Sequence, residues 1–151
     1  MRHAWRVALA TAVPLIACGE DAAAPRVADI ADLAGTWGVV TWEYSRAGDA
    51  SHKADWVDLL GLTGSLTIEP NGEFQVTPAL PGGFGSDYGT LTLEGDALYW
   101  DGEDDEEWVS FTLLAGTLTL SWPETEFVDM DRDGQPEDAW LKVTFRSTAE
   151  R

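Results

Sequence analysis

The feature that most constrains the fold is a repeated alternation of apolar and polar residues, which begins near Leu33 and continues almost to the end of the chain. Turn residues interrupt it at intervals of about eight to twelve positions, the spacing of short antiparallel strands. Alternation places every second side chain on one face, so Leu66 and Ile68 point the same way. No alternation of strands with long helices is seen, which disfavours a parallel α/β fold. The pattern predicts an all-β fold, an up-and-down antiparallel barrel of about eight strands, with a β-sandwich as the alternative.

Two segments depart from the regular pattern. In GTWGVVTWEYSR, Trp37 and Val39 have one parity, whereas Trp42 and Tyr44 have the other, which predicts a β-bulge near Val39. In SHKADWVDLLGL, residues 51–62, apolar residues recur at helical spacing. We therefore expect a helical turn or a loop there, lying across one end of the barrel.

The chain is strongly acidic. Its 151 residues, enough for one domain, contain 27 Asp and Glu against nine Lys and Arg, which gives a net charge of −18. Nucleic-acid binding depends on basic groups that release counterions from phosphates, so this balance argues against DNA and RNA as partners. Cations and basic molecules are better matched to such a surface.

The first residues have the order of a secretory signal. Arg2 and Arg6 precede the apolar run VALATAVPLIAC, which is shorter than the roughly 20 apolar residues of a membrane-spanning helix. Its ending, LIAC, resembles the lipobox of bacterial lipoproteins, in which the cysteine is lipidated and becomes the mature N-terminus. The resemblance implies a signal peptide at 1–17, a lipid on Cys18, and a place on the extracytoplasmic side of a membrane of the bacterial cell envelope. An ordinary secretory signal that leaves a free thiol is the alternative.

The chain after the signal divides into two parts. Residues 18–32 are mostly small and acidic and include a proline, so we expect a flexible tether. Residues 33–148 carry the strand pattern, so we expect them to form the barrel.

The first predicted strand also carries a family resemblance. Gly35, Thr36 and Trp37 resemble the Gly-x-Trp that opens the first strand of lipocalins, whose barrels have eight strands. The layout from GTW through LTIEPNGEF and GTLTLEGDAL is similar to that of small bacterial lipoproteins with a lipocalin-like domain. The resemblance implies a small apolar ligand, and a closed barrel end where Trp37 lies under an arginine of the last strand, here Arg146. A second lipocalin signature around a mid-barrel Thr-Asp-Tyr is absent, so transport of a lipophilic ligand does not carry over freely.

Large aromatic residues occupy many of the predicted strands, and they allow two interpretations. They fill the barrel core, which is the commoner use of such a set, or they line a cavity for a small apolar ligand. In the first case the protein would be a structural or interaction module that binds another envelope protein. The residues are Trp37, Trp42, Phe74, Trp100, Phe111 and Trp122.

Residues 129–138, DMDRDGQPED, carry the most specific chemical pattern. Acidic residues stand at positions one, three, five and nine of a calcium loop, with glycine at the sharp turn. The twelfth position is Trp140 instead of the glutamate of an EF-hand, so the segment resembles calcium loops that connect β-strands. Oxygen ligands favour a hard cation; a solvated acidic turn is the alternative. The predicted ligands of a structural Ca²⁺ are Asp129, Asp131, Asp133, the backbone carbonyl of Gln135, and Glu137.

The sequence predicts no catalytic residues. His52 is the one histidine after the signal, and no serine and acid are identified to join it. A hydrolase with a carboxylate pair is a distant alternative, because so many acids always allow some pair. The acidic run from Asp101 to Glu107 is predicted to be a solvated hairpin tip, and a loose second cation site is the alternative. Phe84, in the glycine-rich loop, is predicted to act as a lid. We therefore expect a non-enzymatic, lipid-anchored, lipocalin-like binding protein.

Overall fold

A computed structural model describes residues 27–83, 85–103 and 105–149. They form one antiparallel β-barrel of eight strands in up-and-down order, with one additional strand, which confirms the predicted fold class. A 3-10 helix, Ile30–Leu33, and an α-helix, α1 (Trp56–Leu60), accompany the strands. The strands are β1 (Gly35–Arg46), β2 (Asp49–Asp55), β3 (Thr63–Ile68), β4 (Glu73–Ala79), β5 (Asp87–Glu94), β6 (Ala97–Gly102), β7 (Glu106–Leu114), β8 (Thr117–Val128) and β9 (Glu137–Ser147).

Strand β1 closes the barrel. It pairs along one edge with β9, and along its other edge with β3 at its beginning and with β2 at its end. The additional strand β2 is therefore a hairpin partner for the second half of β1. We call the end of the barrel at which β1 begins the lower end, and the opposite end the upper end.

The bulge predicted near Val39 is present. Val39 pairs with Phe145 and Thr41 pairs with Thr144, so Val40 has no position in the β1–β9 ladder. One extra residue reverses the parity of the strand. As a result Trp37 is buried below the bulge, while Trp42 and Tyr44 are buried above it.

The segment 51–62 differs in part from its prediction. Residues before Asp55 belong to β2, and only Trp56–Leu60 are helical. Asp55 begins the helix, because its Oδ1 atom accepts hydrogen bonds from the backbone N–H of Val57 and also from that of Trp42 in β1. The side chain of Leu59 is exposed, so the predicted shared apolar face reduces to buried Trp56 and half-buried Leu60.

Buried apolar side chains occupy the interior of the lower half of the barrel. The 3-10 helix lies against it, and the carbonyl of fully buried Leu33 accepts a hydrogen bond of 2.9 Å from the Trp37 indole. Val27 and Ile30 also pack against the core, so the packed unit begins before residue 33 and includes the end of the predicted tether. Residues 1–17 and Cys18, the predicted signal and lipidation site, lie outside the described residues.

The predicted pair of Trp37 and Arg146 is wrong. In the β1–β9 ladder Arg146 stands opposite Gly38, whereas Trp37 stands opposite Ser147. Phe145 is buried and Arg146 is exposed, so alternation along β9 turns the guanidinium away from the interior. Within the described chain, the 3-10 helix covers the Trp37 side of the barrel.

Gly72 joins the β3–β4 turn to β5. Its N–H donates to the carbonyl of Glu69, and its own carbonyl accepts from the N–H of Leu91. Its φ is +89°, and a Cβ atom added there would lie 2.5 Å from the carbonyl oxygen of Leu91. Gly95, in the β5–β6 turn, has a φ of +66° with nothing within 4 Å of such a Cβ.

We predict that Gly72→Ala lowers the free energy of unfolding by more than about 2 kcal/mol, because the methyl group forces β5 away from the turn. Gly95→Ala, the matched control, bears only the backbone cost of about 1–2 kcal/mol. Urea unfolding followed by tryptophan fluorescence measures both. Equal losses in the two variants would show that Gly72 has no close contact with β5.

Candidate functional site

The upper half of the barrel contains a cavity of about 350 Å³. Its floor and walls are side chains from seven of the eight barrel strands, every one except β3, and exposed residues of the β4–β5 connection border it. The lining residues are Trp42, Tyr44, Val76, Pro78, Gly85, Ser86, Asp87, Trp100, Asp105, Glu107, Trp122, Glu126, Leu141 and Phe145. Phe84, the predicted lid, lies outside the described residues.

Three of the six predicted aromatic residues line this cavity: Trp42, Trp100 and Trp122. The rings of Trp100 and Trp122 meet edge to face, with their centroids 5.7 Å apart. The rings of Phe74 and Trp100 are 4.0 Å apart between centroids, and both Phe74 and Trp37 are buried without lining the cavity. Phe111 is half-buried and does not line the cavity. The aromatic set therefore serves both predicted purposes, as core in the lower half and as cavity wall in the upper half.

Four carboxylates belong to the lining, and among the described residues no lysine, arginine or histidine does. Asp87 is fixed by two hydrogen bonds, one from the Trp100 indole at 3.0 Å and one from the N–H of Glu103 at 2.8 Å. Glu126 stands opposite buried Ala139 in the ladder, and its Oε2 atom accepts a bond of 3.1 Å from the Tyr44 hydroxyl. Much of the Glu126 side chain is exposed, but its carboxylate is held at the cavity wall.

Glu107 is the cavity carboxylate of strand β7. It stands opposite Trp100 in the β6–β7 ladder and shares the inward face with buried Val109. In the part of the chain that the structure describes, its carboxylate makes no hydrogen bond or ion pair. Burial and the negative charges of neighbouring acids, with Asp105 foremost, raise its pKa above the usual glutamate value.

The pKa values of Glu126 and Tyr44 are raised for similar reasons. Burial, together with the charge of Asp105, raises the pKa of Glu126, although the Tyr44 hydroxyl donates to it. Burial and the negative charge of Glu126 raise the pKa of Tyr44 well above its ordinary range. Each shift has the sign expected where negative charge is concentrated without a compensating cation.

The acidic run from Asp101 to Glu107 is thus more than the solvated hairpin tip that was predicted. Asp101 and Asp105 are both exposed, but Asp105 and half-buried Glu107 line the cavity. Glu107 is two positions from apolar Val109, so the alternation of strand β7 indicates that its side chain points inward. The prediction missed this because the run of consecutive acids was assigned as a whole to a solvated turn.

The loop between β8 and β9, residues 129–136, holds three of the predicted calcium ligands close together. Oxygen atoms of Asp129, Asp131 and Asp133 lie within 4.8 Å of one another. Side chains organise the loop: Asp129 accepts from the N–H of Gly134 at 3.1 Å, and Asp133 accepts from that of Gln135 at 2.8 Å. The φ of Gly134 is +90°, as the predicted sharp turn requires.

One carboxylate oxygen in this loop is buried without a partner. The Oδ1 atom of Asp129 is shielded from solvent and accepts no hydrogen bond from any residue that the structure describes. Such an atom costs roughly 1–3 kcal/mol unless something donates to it or coordinates it. The clustered oxygens and this atom together fit a bound cation.

The structure adds His52 to this region, which the sequence did not suggest. Its Nε2 atom is 2.8 Å from Oδ2 of Asp131, and His52, Asp131 and Glu137 form a second group with ligand atoms within 4.8 Å. The contact with His52 lowers the pKa of Asp131, helped by the N–H of Asp133. Strand β2 brings the histidine here, and β2 was not predicted.

Glu137 is not aligned with the three aspartates. Its Oε1 atom pairs with the Arg46 guanidinium at 2.9 Å. Side-chain rotation would be needed for it to complete a calcium shell as the ninth residue of the loop. Nothing in the structure places the carbonyl of Gln135 among the ligands.

A buried contact connects the loop with the cavity. The carbonyl of fully buried Met130 accepts a bond of 2.8 Å from the Trp56 indole, and the Trp56 ring lies 4.8 Å from that of Tyr44. The loop and the cavity wall are therefore parts of one packed upper end.

Neither the described helices of this chain nor its similarity to known proteins identifies a membrane span or a family. None of the described helices is long and apolar enough to span a membrane. Comparison of the chain with protein-family models, with curated proteins and with solved structures finds no match.

Proposed function

We propose that this chain is a non-enzymatic binding protein that takes a small, largely apolar molecule into the upper cavity of its barrel. The observation that supports this most directly is the cavity itself. At about 350 Å³ it is within the usual range of small-molecule sites, roughly 300–1,000 Å³. Its walls combine tryptophan rings with a few polar groups, the usual composition of such sites.

The volume favours this proposal over the alternative of a filled barrel that serves only to bind another envelope protein. A filled eight-stranded barrel uses its inward side chains to occupy the interior from end to end. Here the side chains of the lower half do so, and those of the upper half leave room.

We predict that N-phenyl-1-naphthylamine, a neutral aromatic probe, binds saturably and quenches tryptophan fluorescence by energy transfer. Val76→Phe, which adds a ring to the cavity wall, should weaken binding at least fivefold. Val40→Phe, on the outer surface at the bulge, is the matched control and should leave binding unchanged. Non-saturable quenching, or equal binding by both variants, would contradict a site inside the barrel.

We propose a structural calcium ion in the 129–136 loop as a second property. The support is the unpartnered Asp129 oxygen beside two further carboxylates, since Ca²⁺ coordinates oxygen ligands at such loops. Calcium would hold the β8–β9 connection, and its charge would offset the repulsion among the aspartates.

We predict that 10 mM Ca²⁺ stabilises the protein by about 1.4–2.7 kcal/mol relative to chelator, given a dissociation constant of about 10⁻⁴–10⁻³ M for loops of this kind. Asp129→Asn should abolish the rise in melting temperature, and the exposed Asp96→Asn should not. Zn²⁺ provides the contrast. A larger effect of Zn²⁺ that is lost in His52→Ala would replace calcium with a histidine-bound metal.

We further propose that a lipid on Cys18 holds the protein at the extracytoplasmic face of a bacterial membrane. Removal of residues 1–17 leaves seven basic residues against 27 acidic ones, so anionic lipids repel the mature chain and only acyl chains can retain it.

We predict that the full chain expressed in a bacterium is found with membranes and is released by detergent, but not by high salt. Globomycin should block its processing, and Cys18→Ala should lose this globomycin-sensitive processing. Processing that does not respond to globomycin, or that is unchanged in Cys18→Ala, would contradict the lipid anchor.

A further inference from the structure

We propose that the upper cavity selects an organic cation, an amine or quaternary ammonium compound with an apolar body. This inference rests on the proposed function and adds the chemical class of the ligand. It follows from the combination of aromatic walls with four carboxylates in one cavity, where the described lining includes no basic side chain.

No described basic side chain lines the cavity beside its four carboxylates. In the described part of the chain, four basic residues of the upper end are paired elsewhere: Arg46 with Glu137, Lys53 and Lys142 with Glu43, and His52 with Asp131. A fifth, Arg132, is in the β8–β9 loop and does not line the cavity. A cation in the cavity would supply the missing charge. An anionic ligand, such as a fatty acid, would meet four carboxylates of its own sign.

The aromatic walls suit a cation as well as an apolar molecule. Indole rings attract a positive charge to their faces more strongly than other aromatic side chains do. Three tryptophans, Trp42, Trp100 and Trp122, line the cavity together with the ring of Phe145. An ammonium group among these rings retains attraction that a hydrocarbon group of the same size lacks.

Glu107 gives the cavity a specific polar contact. It is an inward-facing carboxylate with no hydrogen bond or ion pair in the described chain, and it is the cross-strand neighbour of Trp100. A ligand with its positive group between these two side chains would contact both a charge and an aromatic face. Glu126, held by Tyr44 across the cavity, adds a second carboxylate.

A metal ion fits this cavity poorly. Among the described residues, the groups of three ligands close enough for one ion both contain Asp131, in the β8–β9 loop, and neither includes a residue of the cavity. The cavity carboxylates come from separate strands and a loop, and they surround a space larger than an ion. An extended organic cation matches that arrangement.

The test compares three probes of similar size: phenyltrimethylammonium, its neutral isostere tert-butylbenzene, and benzenesulfonate. Binding to the mature domain is followed by tryptophan fluorescence and calorimetry. We expect the cation to bind at least tenfold more tightly than the neutral isostere, and the anion to show no binding. The advantage of the cation should decrease as salt is raised, because screening weakens its attraction to the carboxylates.

Matched variants show whether the preference for the cation comes from the carboxylates of the cavity. Glu107→Gln with Glu126→Gln should reduce the affinity for the cation at least tenfold and leave that for tert-butylbenzene unchanged. Glu94→Gln with Asp96→Asn removes the same charge from the exposed β5–β6 turn and should change neither affinity. Glu107→Gln alone removes an unpaired charge with little change of shape, so it keeps the test valid if the double variant does not fold.

The outcomes separate this inference from the proposed function. Equal affinity for the cation and its isostere would overturn the cationic class and leave a neutral binding site. Equal loss in the two double variants would also overturn it, since it would show attraction to the acidic surface as a whole. No binding of either probe, together with no saturable binding of the naphthylamine, would overturn both.

Discussion

The interior of this barrel depends on strand β1, which directs large aromatic side chains inward at both of its ends. A strand with unbroken alternation would have placed either Trp37 or the pair of Trp42 and Tyr44 on the outside. The extra residue at Val40 removes that conflict. Below it, Trp37 packs against the 3-10 helix in the solid lower half; above it, Trp42 and Tyr44 form one wall of the cavity. The division of the molecule into a packed base and an open top begins at this bulge.

The two candidate sites share that upper end. Met130 lies in the loop with the three aspartates, Trp56 bonds to its carbonyl, and the Trp56 ring packs on Tyr44. Tyr44 in turn donates to Glu126 at the cavity wall. A cation that orders the loop would therefore also order one wall of the cavity, and by linkage a ligand that fixes the wall would favour the ordered loop.

The sequence predicted the barrel well because its strands obey a period of two and their turns carry distinct residues. It predicted the loop of aspartates because their spacing is local. It missed what depends on distant pairing: the polar segment 49–55 is a strand only because β1 offers an edge to it, and His52 reaches Asp131 only through that strand. The pairing of Trp37 with Arg146 was predicted from the lipocalin resemblance, and the observed register of β9 places Arg146 opposite Gly38 instead. The sequence left open whether the barrel has a cavity, because the lining is spread over seven strands.

Strand β2 also bears on how this protein behaves among other copies of itself. A closed barrel removes the unpaired backbone edges through which β-proteins aggregate, and β2, which pairs with β1 alone in the described structure, restores one such edge. Its sequence, DASHKAD, is polar and charged at nearly every position and contains no β-branched or large apolar residue. An approaching strand would find backbone groups to pair with but little apolar surface to bury, so the one open edge is protected against sheet extension by its composition.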